Sequence, residues 1–130
     1  MIVVDASAVI ELLLRSAAGQ RVAARIADPE EGLVAPHLLD VEVAQVLRRA
    51  EARGLITAER AVDALSLLQD LDAVRYPHGP LLERAWDLRR NCTAYDAVYL
   101  ALAEALRAPL LTLDRRLARV PGVRAIVQLA

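Results

Sequence analysis

The sequence predicts an α/β fold, a three-layer sandwich in which a central, mostly parallel sheet of about four or five strands is flanked by about seven helices. Short apolar runs alternate with longer amphipathic stretches along the whole chain. The runs lack the polar alternation of a half-exposed strand, which is typical of strands covered by helices on both faces. The length, without an internal repeat or linker, predicts a single domain over residues 1–130.

The elements follow in chain order. Apolar runs predict the strands 2–4, 33–35, 73–76, 110–113 and 123–129. Longer stretches predict the helices 7–14, 20–27, 36–54, 57–71, 81–90, 95–107 and 115–119.

Prolines, glycines and hydroxyl residues set the predicted boundaries in the first half. Pro29 ends the second helix, because the residue before a proline avoids the helical conformation. Pro36 is expected to open the third helix and Gly54 to cap its end. Thr57 is a suitable N-cap for the fourth helix.

In the second half, the segment 77–80 closes the third strand with two prolines and a glycine. Thr93 or a neighbour is expected to cap the helix 95–107. Pro109 interrupts that helix pattern, and the following apolar strand ends at Asp114.

Composition excludes several classes of function. The 16 basic residues nearly balance 17 acidic ones, which argues against a protein that coats DNA nonspecifically. Every basic residue is arginine, so phosphate-loop nucleotide binding and Schiff-base chemistry, which need lysine, are excluded. Aromatic residues make up 3% of the chain, too few for a base-stacking platform.

Sequence features also predict where the protein resides. Cys92 is the only cysteine, so the fold does not depend on an internal disulfide. No apolar run approaches the ~18–20 residues of a membrane span, and the first residues lack a signal-peptide pattern. The sequence therefore predicts a soluble, cytoplasmic protein without a membrane partner.

Two acids end apolar strands. Asp5 follows Ile2–Val4, and Asp114 follows the run 110–113 in the same way. If both strands run parallel, both carboxylates lie at the sheet edge where α/β proteins bind ligands. A role for Asp5 as a helix N-cap remains an alternative at this point.

Two further acids lie on apolar helix stripes. Glu42 shares a stripe with Leu39 and Val43, and Asp96 begins one that includes Tyr99. The first-turn position of Asp96 is also explained by the helix dipole. Most other acids, Glu104 among them, are expected on solvated faces.

Convergence of these four acids would require a counter-charge. Carboxylates ~6 Å apart repel by roughly 3 kcal/mol per pair at an effective dielectric constant of about 20. Such a cluster must bind protons or cations, and an all-oxygen site suits Mg²⁺ or Mn²⁺ rather than zinc. The alternative is that the four acids do not converge and are independent helix caps and surface residues.

Four sequence motifs resemble the PIN-domain family, and within it the VapC toxins of type II toxin–antitoxin pairs. They are Val-Val-Asp-Ala-Ser, Glu-Val-Ala-Gln-Val-Leu-Arg-Arg, Thr-Ala-Tyr-Asp-Ala-Val-Tyr-Leu-Ala-Leu-Ala and Leu-Thr-Leu-Asp. The resemblance covers essentially the whole chain in order, and the last two motifs are the more specific.

The resemblance implies a metal-dependent endoribonuclease that cuts structured RNA and is covered by a cognate antitoxin. It implies that four acids are catalytic and bind divalent metal, Mg²⁺ or Mn²⁺: Asp5, Glu42, Asp96 and Asp114. It also implies that Ser7 and Thr112 support the metal site.

Arginines near these acids are candidate contacts to RNA phosphates. They are Arg89, Arg90, Arg115 and Arg116, which also fit solvated helix faces. Tyr95 and Tyr99 are expected in the core rather than on a base-stacking surface.

Other interpretations differ in class. A partner-binding module would use the acids to dock arginines of another protein without catalysis. An aspartyl-phosphate enzyme built on Asp5 is disfavoured by the absence of lysine. The abundance of Ala, Leu and Val predicts exposed apolar helix faces, which a homodimer or an antitoxin would cover.

Overall fold

Five strands form one sheet in a computed structural model that describes all 130 residues. The strands are β1 (Ile2–Val4), β2 (Leu33–Pro36), β3 (Ala73–Tyr76), β4 (Leu110–Thr112) and β5 (Val127–Leu129). Their order across the sheet is β3-β2-β1-β4-β5, and every neighbouring pair is parallel. The helices are α1 (Ala6–Leu13), α2 (Ala17–Arg25), α3 (Leu38–Ala52), α4 (Ala58–Asp70), α5 (Leu82–Asp87) and α6 (Ala94–Leu106).

The central strand β1 separates two cores. Val3 packs into one core together with residues of α5 and α6. Ile2 and Val4 point to the opposite face and pack against α1, α3 and α4. This alternation follows from the two-residue period of a strand, and all three side chains are at most 1% exposed. The predicted three-layer sandwich with a parallel sheet is therefore confirmed.

Hydroxyl side chains cap the N-termini of three helices, and two of these caps, Thr57 and Thr93, were predicted. Thr57 accepts a hydrogen bond from the amide of Arg60, and Thr93 accepts one from the amide of Asp96. Ser16 caps α2 by accepting from Gly19, so that helix begins at Ala17 and not at the predicted residue 20.

The expectation that Pro36 opens a helix is wrong. Pro36 is the last residue of β2 and lies opposite Tyr76 of β3. The chain leaves the strand at His37, whose amide donates to the carbonyl of Tyr76. α3 then begins at Leu38, whose amide donates to Nε2 of His78.

The predicted helix 115–119 is a single 3₁₀ turn over Leu117–Arg119. Asp114 engages the amide of Arg116, and Val120 is extended ahead of Pro121, so no full α-helical turn forms. The structure thus has six α-helices, one fewer than predicted.

Two other predicted elements are shorter in the structure. The helix predicted over residues 81–90 is α-helical only at Leu82–Asp87, because flanking hydrogen bonds span three residues, as in a 3₁₀ turn. The last strand pairs only at Val127–Leu129, since the amide of Arg124 donates to Glu104 instead of to the sheet.

Glu104 is not on a solvated face as expected. Its side chain is 7% exposed, and Nε of Arg84 donates to its Oε2 at 2.8 Å. The guanidinium of Arg84 lowers the pKa of Glu104. No helix combines the length and the apolarity needed to cross a lipid bilayer.

Candidate active site at the carboxyl edge of the sheet

Parallel pairing brings the ends of β1 and β4 together, because Val4 lies opposite Leu111. Asp5 and Asp114 follow these strands at the same edge of the sheet. Glu42 comes from the second turn of α3, and Asp96 comes from the first turn of α6. Electrostatic repulsion couples Asp114 to both Asp5 and Asp96.

Asp5 is the most deeply buried of the four acids, with 5% of its surface exposed. Its Oδ1 accepts hydrogen bonds from Oγ of Ser7 at 2.7 Å and from the amide of Ala8 at 3.0 Å. Its Oδ2 accepts from Oγ1 of Thr112, which is fully buried. Burial nevertheless raises the pKa of Asp5 above its ordinary value.

The two hydroxyls also join the strand ends to each other. Oγ of Ser7 accepts from the amide of Leu113 at 2.9 Å, and Oγ1 of Thr112 accepts from the amide of Asp114 at 2.9 Å. Asp5 also caps α1, so the N-cap alternative is correct, and it is compatible with the predicted metal-binding role of the same carboxylate. Three donors from two chain segments, the start of α1 and the end of β4, therefore hold Asp5 in one orientation.

Glu42 is half-buried and is held by Tyr99. The phenol of Tyr99 donates to Oε1 of Glu42 at 2.7 Å. Burial raises the pKa of Tyr99 far above its usual value, so the phenol stays protonated and acts as a donor. Burial also raises the pKa of Glu42, and repulsion by Asp96 and Asp5 adds to the rise.

Asp114 differs from the other three acids because an arginine neutralises it. Nε and Nη2 of Arg116 donate to its two carboxylate oxygens at 3.1 and 2.9 Å. This bidentate contact lowers the pKa of Asp114. The carboxylate of Asp96 accepts no such bond, and burial followed by repulsion from Asp114 raises its pKa.

The donor chemistry of this edge fits a hard divalent cation. Asp5, Glu42 and Asp96 have pKa values raised chiefly by burial, which means that the protein leaves their charge under-compensated. As the side chains stand, no three carboxyl, imidazole or thiol groups are arranged to enclose a metal ion. Arg116 occupies both oxygens of Asp114 and would compete with a cation for them.

Comparison with known proteins identifies the family. The model of the PIN domain matches residues 2–123. The chain is 48% identical over 128 residues to the ribonuclease VapC1 of Mycobacterium tuberculosis, an alignment that covers 98% of this chain and 96% of that protein.

The chain belongs to the PIN-domain family.

Solved structures support the fold of this PIN domain. VapC20 of Mycobacterium tuberculosis, described as a toxin that cleaves the sarcin-ricin loop, superimposes with a TM-score of 0.71 at 16% identity, covering 97% of this chain and 98% of that one. VapBC2 from Rickettsia felis, bound to a DNA fragment from its promoter, gives a TM-score of 0.72 at 13% identity, with coverage of 100% and 99%. At these identities the likeness concerns the fold alone.

The arginines predicted to contact RNA occupy different places in the PIN domain. Arg116 lines a cleft of about 250 Å³ beside Asp96. Arg90 and Arg115 are exposed and do not line this cleft. Arg89 stacks on the ring of Trp86, with its guanidinium carbon 4.8 Å from the ring centroid.

Sequence reasoning missed two residues of the site. Arg119 lines the cleft with Arg116, and their spacing of three residues along a basic segment was the available signal. Tyr99 was expected in the core, where its ring does lie, but its bond to Glu42 was not anticipated. Tyr95, expected in the core as well, is instead 63% exposed.

Proposed function

We propose that this PIN domain is a divalent-metal-dependent endoribonuclease that acts in the cytoplasm as the toxin of a toxin–antitoxin pair. The observation that carries the proposal is the set of four acids at one sheet edge, three of them with pKa values raised by burial. RNA as the substrate is supported by the relative VapC1, which is named a ribonuclease and matches nearly the whole chain.

The residues proposed to hold Mg²⁺ or Mn²⁺ are Asp5, Glu42, Asp96 and Asp114. A bound divalent cation would supply Lewis-acid activation of water and neutralise charge on the phosphodiester. Ser7 and Thr112 would act as supports, since their hydroxyls fix the carboxylate of Asp5.

The arginines beside the acids have the chemistry to bind the RNA backbone. Arg116 and Arg119 line the cleft next to Asp96, and guanidinium groups donate to phosphates in bidentate fashion. We extend this proposed role to the exposed Arg90 and Arg115 and to Arg89, which is already oriented by Trp86.

The test combines thermal melting with RNA cleavage. Millimolar Mn²⁺ or Mg²⁺ is expected to raise the melting temperature of the purified chain and to start cleavage of structured RNA. Asp96→Asn removes one ligand charge with little change of shape and is expected to lose both effects. The matched control is Asp63→Asn, an exposed acid on α4 that should keep both.

Two results would count against the proposal, and they differ. If metal leaves the melting temperature unchanged in both the wild type and Asp96→Asn, the proposed metal site is wrong. If metal binds but the wild type cleaves no RNA beyond the level of the inactive reference Asp5→Asn, the metal site stands and the proposed nuclease activity is wrong.

A second candidate function is a partner-binding module whose acids dock arginines without catalysis. The contact of Arg116 with both oxygens of Asp114 favours it, because it shows that this edge accepts a guanidinium. In that case free arginine or an arginine-rich peptide stabilises the chain while divalent metal does not.

We also propose two protein partners. Exposed apolar side chains occur on α3 and α4, such as Val41 and Val62, and on α5, such as Leu82 and Trp86. A homodimer and an antitoxin segment would cover such surfaces. The complex named VapBC2 supports an antitoxin partner. Light scattering of the purified chain tests the dimer, and co-purification with the product of a neighbouring reading frame tests the antitoxin.

A further inference from the structure

Tyr99 connects the two helical layers at the acidic edge. It lies on α6, one turn beyond Asp96, and only 2% of its surface is exposed. Its ring belongs to the core formed by α5 and α6, whereas the buried neighbours of Glu42 on α3 belong to the opposite core. The bond between Tyr99 and Glu42 therefore joins residues from different layers.

Glu42 has no other hydrogen-bond partner in the protein. The phenol engages Oε1 and leaves Oε2 without a protein donor. Asp96 and Asp5 both repel the carboxylate of Glu42, so these two acids are its electrostatic neighbours. A half-buried glutamate with one fixed oxygen loses most of its rotamer freedom, which lowers the entropic cost of binding a ligand.

We propose that Tyr99 is a positioning residue for the metal site: its hydroxyl holds the carboxylate of Glu42 toward Asp96 and Asp5. This assignment rests on the metal-dependent function proposed above. It gives the buried tyrosine a role beyond packing, because a phenylalanine would fill the same space in the core without orienting the acid. Hydrogen-bond partners of metal ligands typically change metal affinity by about 10–100-fold when removed.

The direct test is Tyr99→Phe, which keeps the ring and deletes the hydroxyl. Binding of Mn²⁺ to the full chain is measured by titration calorimetry, without RNA. The dissociation constant for Mn²⁺ is expected to increase about 10–100-fold. Saturating Mn²⁺ should restore RNA cleavage, since Tyr99 acts on metal binding and not on the bond that breaks. Tyr95→Phe, on the same helix but exposed, should bind Mn²⁺ like the wild type.

A second background separates action through Glu42 from a general structural effect. In Glu42→Gln, the added Tyr99→Phe change is expected to cause no further loss of Mn²⁺ affinity. A further loss as large as in the wild-type background would show that Tyr99 acts elsewhere and would overturn the assignment. Wild-type affinity in Tyr99→Phe overturns it too, while leaving the proposed function intact. If the wild type does not bind Mn²⁺, both the positioning role of Tyr99 and the proposed metal-dependent function are wrong.

If Tyr99→Phe does not fold, the environment of Tyr99 can be followed in the chain without any substitution. The chain contains three tyrosines, Tyr76, Tyr95 and Tyr99, and incorporation of 3-fluorotyrosine gives each a fluorine signal. Mg²⁺ is expected to shift the signal of Tyr99 and to leave that of the exposed Tyr95 in place. A Tyr99 signal that does not move at saturating Mg²⁺ overturns the proposal.

Discussion

Replacing Thr112 by valine tests how the strand ends hold Asp5. Thr112→Val preserves the shape of a fully buried side chain and removes its hydroxyl. Oδ2 of Asp5 then loses its only protein donor, and the amide of Asp114 loses its acceptor. A hydrogen bond to a charged group contributes about 1.5–3 kcal/mol, and the partly exposed amide adds up to ~1 kcal/mol. The expected loss is about 1.5–4 kcal/mol from a total of roughly 5–15 kcal/mol.

The loss should depend on pH. The bond from Thr112 lowers the pKa of Asp5, so its removal raises that pKa further above the ordinary value. Between the wild-type and variant pKa values, the folded variant carries a proton that the folded wild type has lost. The stability difference therefore widens as pH rises through this window and is complete above it.

Urea unfolding at about pH 7.5 and about pH 4 measures both effects. Thr57→Val is the matched control, because Thr57 is exposed and caps α4; its loss should be about 1 kcal/mol. That loss should be the same at both pH values. If Thr112→Val lowers the free energy of unfolding by less than about 0.5 kcal/mol, or by the same amount at both pH values, the assigned role of this hydroxyl is refuted.

Two further substitutions test the packing outside the site. Gly19→Ala would place a Cβ 1.9 Å from the backbone oxygen of Glu11, so α1 and α2 must separate. The free energy of unfolding should fall by at least ~2 kcal/mol. Gly32→Ala is the control and should change stability little, because no atom lies within 4 Å of the added Cβ. Equal stability of the two variants would contradict the close helix contact. Glu104→Gln removes the charge that Arg84 binds, at a cost of about 2 kcal/mol near neutral pH. Because the pKa of Glu104 is lowered in the fold, this difference should shrink as pH falls through that pKa; a constant difference would contradict the ion pair.

Local sequence features predicted elements better than their exact ends. Thr57 and Thr93 signalled helix starts because capping depends on residues only three positions away. Pro36 was misassigned because its place in β2 depends on pairing with Tyr76, 40 positions later. The burial of Glu104 likewise depends on Arg84 and Arg124, which sequence spacing does not bring together.

By itself, the sequence determined the layered α/β class and singled out four acids, since apolar periodicity and an acid at a strand end or on an apolar stripe are local properties. Only the tertiary structure decided which groups hold them. The bonds of Glu42 to Tyr99 and of Asp5 to Thr112 span 57 and 107 positions. Such contacts arise from the strand order that places β1 next to β4 and from a fold that brings a side chain of α6 within hydrogen-bonding distance of one on α3. Spacing along the chain carries no information about partners that far apart.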